Sequence, residues 1–202
     1  MTDKVRLQFN SMGSIQGDDN VCIVILVEET HQMQLSFVTD DDMRRQLSLR
    51  LHKPADDNNV SKLLPEVMWE SLRGFSDNQD YEMVVESVGE DGEYHTILYN
   101  KIFGSKFDIR LADAVLMQEV TGIPLYIKLS LLRKQMVPYT AGSNTTTIPI
   151  NVMPLAVLEK GLTDSIAKED YHMAQRLKDE INKRKSLNNQ GGKTDERDQI
   201  LL

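Results

Sequence analysis

Two aspartates and an arginine fall within six residues, Asp108-Ile109-Arg110-Leu111-Ala112-Asp113, and make the most suggestive polar cluster of the chain. Strand alternation sends Asp108 and Arg110 to one face and Ile109 to the other. Asp113 then falls in the first turn of a helix, where a carboxylate favours the helix dipole and accepts backbone hydrogen bonds. Two carboxylates and a guanidinium are the parts that would hold a divalent metal, Mg²⁺ or Mn²⁺, against a phosphate. That is the apparatus of phosphodiester hydrolysis. Asp108 and Asp113 would serve as metal ligands or general base, and Arg110 would neutralise phosphate charge. The same residues also make an ordinary salt bridge between Arg110 and one aspartate plus a helix cap. Asp40, Asp41 and Asp42 carry the same ambiguity.

Other reactive types are less suggestive. The four histidines, His31, His52, His95 and His172, have no metal-ligating spacing such as i and i+4. Cys22 stands alone inside an apolar run and reads as a small core residue, which also removes any internal disulfide or multi-cysteine zinc site. Gly191-Gly192-Lys193-Thr194 ends like a phosphate-binding loop, but Leu187 holds the place of the first glycine and no strand precedes it. Asn59-Val60-Ser61 and Asn144-Thr145-Thr146 fit the glycosylation sequon but carry no expectation without a secretion signal.

The cluster must be positioned by neighbouring elements. Val5 to Phe9 alternates as a strand, and Gly13 with Gly17-Asp18-Asp19-Asn20 marks a turn. Val21 to Val27 is a β-branched apolar run that predicts a strand buried on both faces. Met33, Leu35 and Phe37 alternate, and Met43, Leu47 and Leu51 follow at helical spacing after the acidic start at 40–42. Leu64, Val67, Met68, Leu72 and Phe75 repeat as another helix, with Pro65 in its first turn. Tyr81 to Val88 and Glu93 to Tyr99 flank the hairpin signal Gly89-Glu90-Asp91-Gly92. Lys106 to Arg110 predicts a strand, Leu111 to Val120 a helix ended by Gly122, and Leu125 to Lys128 a strand. Ile25-Leu26-Val27 also matches Ile97-Leu98-Tyr99 at an offset of 72, which aligns Asp41 with Asp113. A duplicated ββα unit and chance similarity both account for that match. The expected class is α+β: a mixed, mainly antiparallel sheet with packed helices and a C-terminal helical hairpin.

Composition adds the partner argument. The 202 residues carry 23 basic and 31 acidic side chains, a net charge of −8. Residues 1–157 hold 14 basic against 22 acidic, so the net negative charge lies there, while 158–185 hold 7 against 6. Such a field disfavours unaided nucleic-acid binding, which draws on basic groups that release counterions. With no signal-like start and no run of 18 apolar residues, the expectation is a cytoplasmic protein with no membrane span. The uncharged, proline-interrupted stretch 139–154 reads as a linker between a domain at 1–138 and a hairpin at 155–185, and 186–202 reads as a disordered tail.

Asp108 to Val115, followed by Thr121-Gly122-Ile123-Pro124-Leu125-Tyr126-Ile127, resembles the signature of the bifunctional nuclease family, Asp-x-Arg-x-Ser-Asp-Ala-Ile and then a Gly-x-Pro-Ile turn. The resemblance covers about residues 5–137. It implies an α+β domain, often dimeric, with DNase and RNase activity in some plant members. Ala112 departs from the family's serine, and Ser61-Lys62-Leu63-Leu64-Pro65-Glu66-Val67 lacks the threonine and histidine of its Pro-x-Thr-His-Asp-Leu motif. Leu158 to Lys185, with Glu169-Asp170-Tyr171 and Leu177-Lys178-Asp179-Glu180-Ile181, is similar to the UVR motif of excision-repair excinuclease subunits and of some protease-associated adaptors. Its apolar positions explain a helical hairpin independently, with Asp170 capping the second helix. Two such short helices bury too little surface alone. Leu158, Leu162, Tyr171, Ala174, Leu177 and Ile181 are therefore the expected protein-docking residues, the alternative being a hairpin folded back on its own domain.

Two functions follow as expectations. The leading one is a metal-assisted nuclease of DNA or RNA acting through Asp108, Arg110 and Asp113, with the hairpin as a protein-docking element. The other is a non-catalytic dimeric adaptor that recruits a protein through the hairpin.

Overall fold

The computed structural model describes residues 3–15, 18–28, 30, 32–51, 60–140 and 147–191. His31, His52, Asn59, Asn144 and the segment 192–202 lie outside them. The chain divides into two compact units, Met1–Ser87 with Tyr94–Thr147, and Val88–Glu93 with Ile148–Leu202.

The first unit is built on an eight-stranded sheet. Its strands are β1 (Lys4–Ile15), β2 (Asp18–Glu28), β3 (Met33–Asp40), β4 (Tyr81–Val88), β5 (Tyr94–Asn100), β6 (Lys106–Arg110), β7 (Leu125–Lys128) and β8 (Val137–Pro138). They lie in the order β6-β5-β4-β7-β1-β2-β3-β8. β4 and β7 pair in parallel, while β1–β2, β1–β7, β2–β3, β3–β8 and β5–β6 are antiparallel, and the architecture is the expected α+β class with a mainly antiparallel mixed sheet. Helices α1 (Asp41–Leu51), α2 (Leu64–Leu72), α3 (Leu111–Thr121) and α4 (Leu129–Gln135) complete the unit. One sheet face is apolar: Leu7, Met83, Val85, Leu125 and Ile127 are fully buried there. No described helix is long and apolar enough to cross a membrane.

Several expectations are corrected. β1 runs past Phe9 to Ile15, because a bulge between Phe9 and Ser11 lets polar residues continue the ladder, and Gly13 pairs with Ile23 instead of marking a turn. β2 is not buried on both faces: Cys22, Val24 and Leu26 are buried while Val21, Ile23 and Ile25 are half-buried. β3 is the doubly buried strand, at Gln34 to Phe37. Periodicity concealed this because the Gln34 side chain hydrogen-bonds Ser36, so two polar residues are hidden together. α4 was not expected, although it buries Leu131, Leu132 and Gln135. The α2 helix forms as predicted, yet none of its residues is buried. Its stripe of Leu64, Met68 and Leu72, with Phe75 beyond (88% exposed), faces solvent.

The 72-residue offset reappears in the strand register. Val27 pairs with Gln34 as Tyr99 pairs with Lys106, Ile25 with Ser36 as Ile97 with Asp108, and Ile23 with Val38 as His95 with Arg110. Thus β2-β3-α1 and β5-β6-α3 are equivalent units.

In the second unit α5 (Leu155–Ala167) and α6 (Tyr171–Gly191) form a hairpin. α6 continues six residues past the expected end at 185, into what reads as a disordered tail. The expected linker is also partly ordered, since Ile148 and Val152 are buried and 150–152 form a 3-10 turn.

Candidate functional site

The Asp-x-Arg-x-x-Asp cluster is built where β6 becomes α3. Lys106 to Arg110 alternates as predicted: Asp108 lies opposite Ile97 and Arg110 opposite His95, on one face, while Ile109 opposes Thr96 on the other. Arg110 is extended and ends the strand, and Asp113 occupies the first turn of α3. Asp113 does not cap that helix. Its carboxylate instead accepts from Arg110 Nε at 2.6 Å and from Nη2 at 3.1 Å. The pair is open to solvent, with the arginine side chain 70% and the aspartate 35% exposed, so it contributes at most about 1 kcal/mol to stability. Asp108 is exposed on the sheet face.

The equivalent unit is informative. Asp40 caps α1, its Oδ1 accepting from the Met43 amide at 2.8 Å. Asp41, which corresponds to Asp113, is paired with Arg45 at 2.8 Å and with Arg44. Hydrogen bonding from Arg44 and the charges of both arginines outweigh desolvation and hold its carboxyl below the usual range. An acid in the first helical turn bound by arginine is therefore a feature of both ββα units. It recurs where the counterparts of Asp108 and Arg110 are Ser36 and Val38.

Among the described residues no three His, Cys, Asp or Glu side chains come together as a metal-binding group. Asp113 directs both of its carboxylate oxygens at the Arg110 guanidinium. His95 and His172 are exposed. Cys22 is wholly buried, and burial pushes its thiol pKa up, as suits a core residue.

The expected docking residues separate by burial. Leu158, Leu177 and Ile181 form the hairpin's own core, with Leu162 packed against them, and Ala174 is buried as well. Tyr171 is 68% exposed, and Ile166 is also open. Both flank the turn, where Glu169 takes a left-handed φ of 58° and the Asp170 carboxylate accepts from the Met173 amide at 3.0 Å, the predicted cap. At the other end Arg184 is buried. It pairs with Glu180 at 2.9 Å and donates to the carbonyls of Met153 at 2.6 Å and Ile150 at 3.3 Å. Gly92 belongs to the same unit, and a Cβ there would lie 2.6 Å from Arg184 Nη2.

Sequence reasoning missed two polar features. The buried Arg50 of α1 pairs with the partly buried Glu66 of α2, with Nη2 donating to Oε2 at 2.8 Å and Nε lying 2.7 Å from Oε1. The second is a network on the polar sheet face. Lys4 pairs with Glu82 at 2.5 Å and lies 4.7 Å from the Tyr126 ring centroid. Lys128 pairs with Glu86 at 3.1 Å, Tyr99 donates to the same carboxylate at 3.1 Å, and Lys106 lies 5.0 Å from the Tyr99 ring centroid. Alternation within each strand marks these residues, but only the strand order unites them.

No protein-family model matches this chain, and no curated protein matches it either.

Proposed function

We propose that this protein is a non-catalytic scaffold whose sheet domain carries the hairpin as a protein-docking element. The observation that carries the reading is the clamping of Asp113 by Arg110, repeated at Asp41 in the equivalent unit, which gives the acids a structural task. Exposed apolar patches mark interaction sites. Ile166 and Tyr171 at the hairpin turn suit a partner protein, and Leu64, Met68, Leu72 and Phe75 suit a second copy of the chain. The resemblance to the UVR motif supports the first contact, and the dimers of the bifunctional nuclease family support the second.

The nuclease reading keeps one observation in its favour: Asp108, Arg110 and Asp113 are all reachable from solvent at one edge of the sheet. Incubating purified wild-type protein and Asp113→Asn with labelled DNA and RNA, in Mg²⁺ or Mn²⁺, separates the two. The scaffold reading expects no cleavage above buffer by either protein. Cleavage that Asp113→Asn abolishes would overturn it. Quantitative affinity capture with wild-type protein and the Ile166→Asp/Tyr171→Ala variant tests docking, and an unchanged set of captured proteins would count against the hairpin.

A further inference from the structure

The two ββα units end the sheet differently. On one side β3 is followed by β8, while on the other β6 is the last strand. β8 is only Val137–Pro138, yet it closes the β3 edge. Gln34 pairs with Val137, and the Gln32 carbonyl accepts from the Tyr139 amide at 2.8 Å. At an offset of 72, Gln32 and Gln34 become Gly104 and Lys106. Among the described residues no strand takes the equivalent place beside β6.

The backbone of β6 is set to receive one. Asn100 donates its amide to the Ser105 carbonyl at 2.9 Å, which fixes the phase of the β5–β6 ladder. Alternation then turns the backbone groups of Phe107 and Ile109 towards β5, and those of Lys106 and Asp108 outwards. Natural edge strands are ordinarily blunted by charge, bulges or a covering loop. Here Lys106, Phe107 and Asp108 are all exposed, and the Lys106 ammonium lies over the sheet, 5.0 Å from the Tyr99 ring centroid. The edge is also apolar. Phe107 is 55% exposed, and the adjoining turn shows Ile102 and Phe103 to solvent. Asn100 orders that turn, its Oδ1 accepting from the Ile102 and Phe103 amides at 3.0 and 3.1 Å.

We propose that the outer edge of β6 takes an extended peptide of a partner protein as a further antiparallel strand, with the pattern apolar–basic–apolar–acidic from its N-terminus. The acid lies opposite Lys106 and the base opposite Asp108, and the apolar residues lie beside Phe107 and Ile109. Arg110 already holds Asp113 and sets no requirement. The peptide's C-terminal end runs towards Ile102 and Phe103. A short segment has the right form, because a two-residue strand suffices to close the equivalent β3 edge. This adds a second docking surface to the scaffold reading and does not depend on the hairpin.

Heteronuclear NMR of the full chain, titrated with the peptide Gly-Thr-Val-Lys-Val-Glu-Thr-Gly, tests this. Shifts should centre on residues 104–110, and the Lys106 and Asp108 amides should gain protection from exchange. N-methylation of the peptide's lysine and glutamate amides, which face β6, should weaken binding at least about tenfold, and N-methylation of the valine between them far less. Reversing the charges to Val-Glu-Val-Lys should cost about fivefold, and Lys106→Glu/Asp108→Lys should invert that preference, which also shows that the variant is folded. No binding, equal affinity for both charge orders, indifference to N-methylation, or shifts confined to other strands would each overturn the proposal. So would self-association that excludes the peptide and is abolished by Phe107→Lys, which would give the edge to a second copy. Failure here leaves the hairpin reading standing, since that is measured separately through Ile166→Asp/Tyr171→Ala.

Discussion

Removing the Arg184 side chain tests what holds the second unit together. In Arg184→Met the apolar stem is retained and the guanidinium is lost. The arginine side chain is 6% exposed and its partner Glu180 14%, so the substitution strands a nearly buried carboxylate. Removing one partner of a buried pair costs about 3 to 5 kcal/mol, and the residual access of Glu180 to water places this case near 3. The carbonyls of Met153 and Ile150 lose a charged donor as well. Replacing both members, Arg184→Met/Glu180→Met, removes the stranded charge and leaves only those carbonyls, a cost of about 1 to 2 kcal/mol. Urea unfolding followed by helical circular dichroism reads both values. With a slope of about 2 kcal/mol per molar, the single variant's midpoint falls by about 1.5 M. Trp69, the sole tryptophan, lies in the other unit, and its fluorescence follows that unit separately. A single variant costing under about 1 kcal/mol, or a double variant no better than the single, would refute the claim that Arg184 is the buried tie.

Gly92→Ala puts a Cβ against Arg184 at a φ of +89°, and the backbone strain alone should cost about 1 to 2 kcal/mol in the same unfolding experiment. Glu169→Gly relieves the left-handed residue of the hairpin turn and should raise stability by about 0.5 to 1 kcal/mol by the same measurement. The Glu28 carboxylate is pushed up by burial, but bonds from Thr30 and from the Gln32 and Met33 amides hold its pKa below the ordinary 4.5. Its contribution is therefore complete above pH 4.5 and disappears as pH falls through the lower folded value. Glu28→Gln should cost about 2 kcal/mol at pH 7, with the difference from wild type shrinking in acid, as thermal melts across pH would show. Cys22 should resist thiol reagents in the folded protein and react on urea addition, since burial both raises its pKa and blocks access.

Local signals carried much of the fold. β6 and β7 begin and end where alternation placed them, and α3 ends at Gly122, whose φ of 71° suits a glycine C-cap. Errors arose where a polar residue took an apolar residue's place. Gln34 and Ser36 satisfy each other and vanish into the interior, and the bulge after Phe9 carries Asn10 and Ser11 through a strand. Arg184 is the same kind of case: an arginine on a helix reads as surface until its partners, 31 and 34 residues away, are known.

The site was legible in part for a similar reason. Alternation correctly set Asp108 and Arg110 on one face, but the choice between metal ligand and salt bridge depended on where Arg110 would point, which spacing does not determine. Net charge was a weaker guide, since −8 is a sum over the whole chain and binding responds to charge within a Debye length, about 8 Å in physiological salt. The strand order brings Lys4 and Arg6 beside residues 126 and 128, and Glu86 joins Tyr99 to Lys128. None of these neighbours is close in sequence. Residues distant in sequence thereby form one network of lysine, glutamate and tyrosine on the polar face of the sheet.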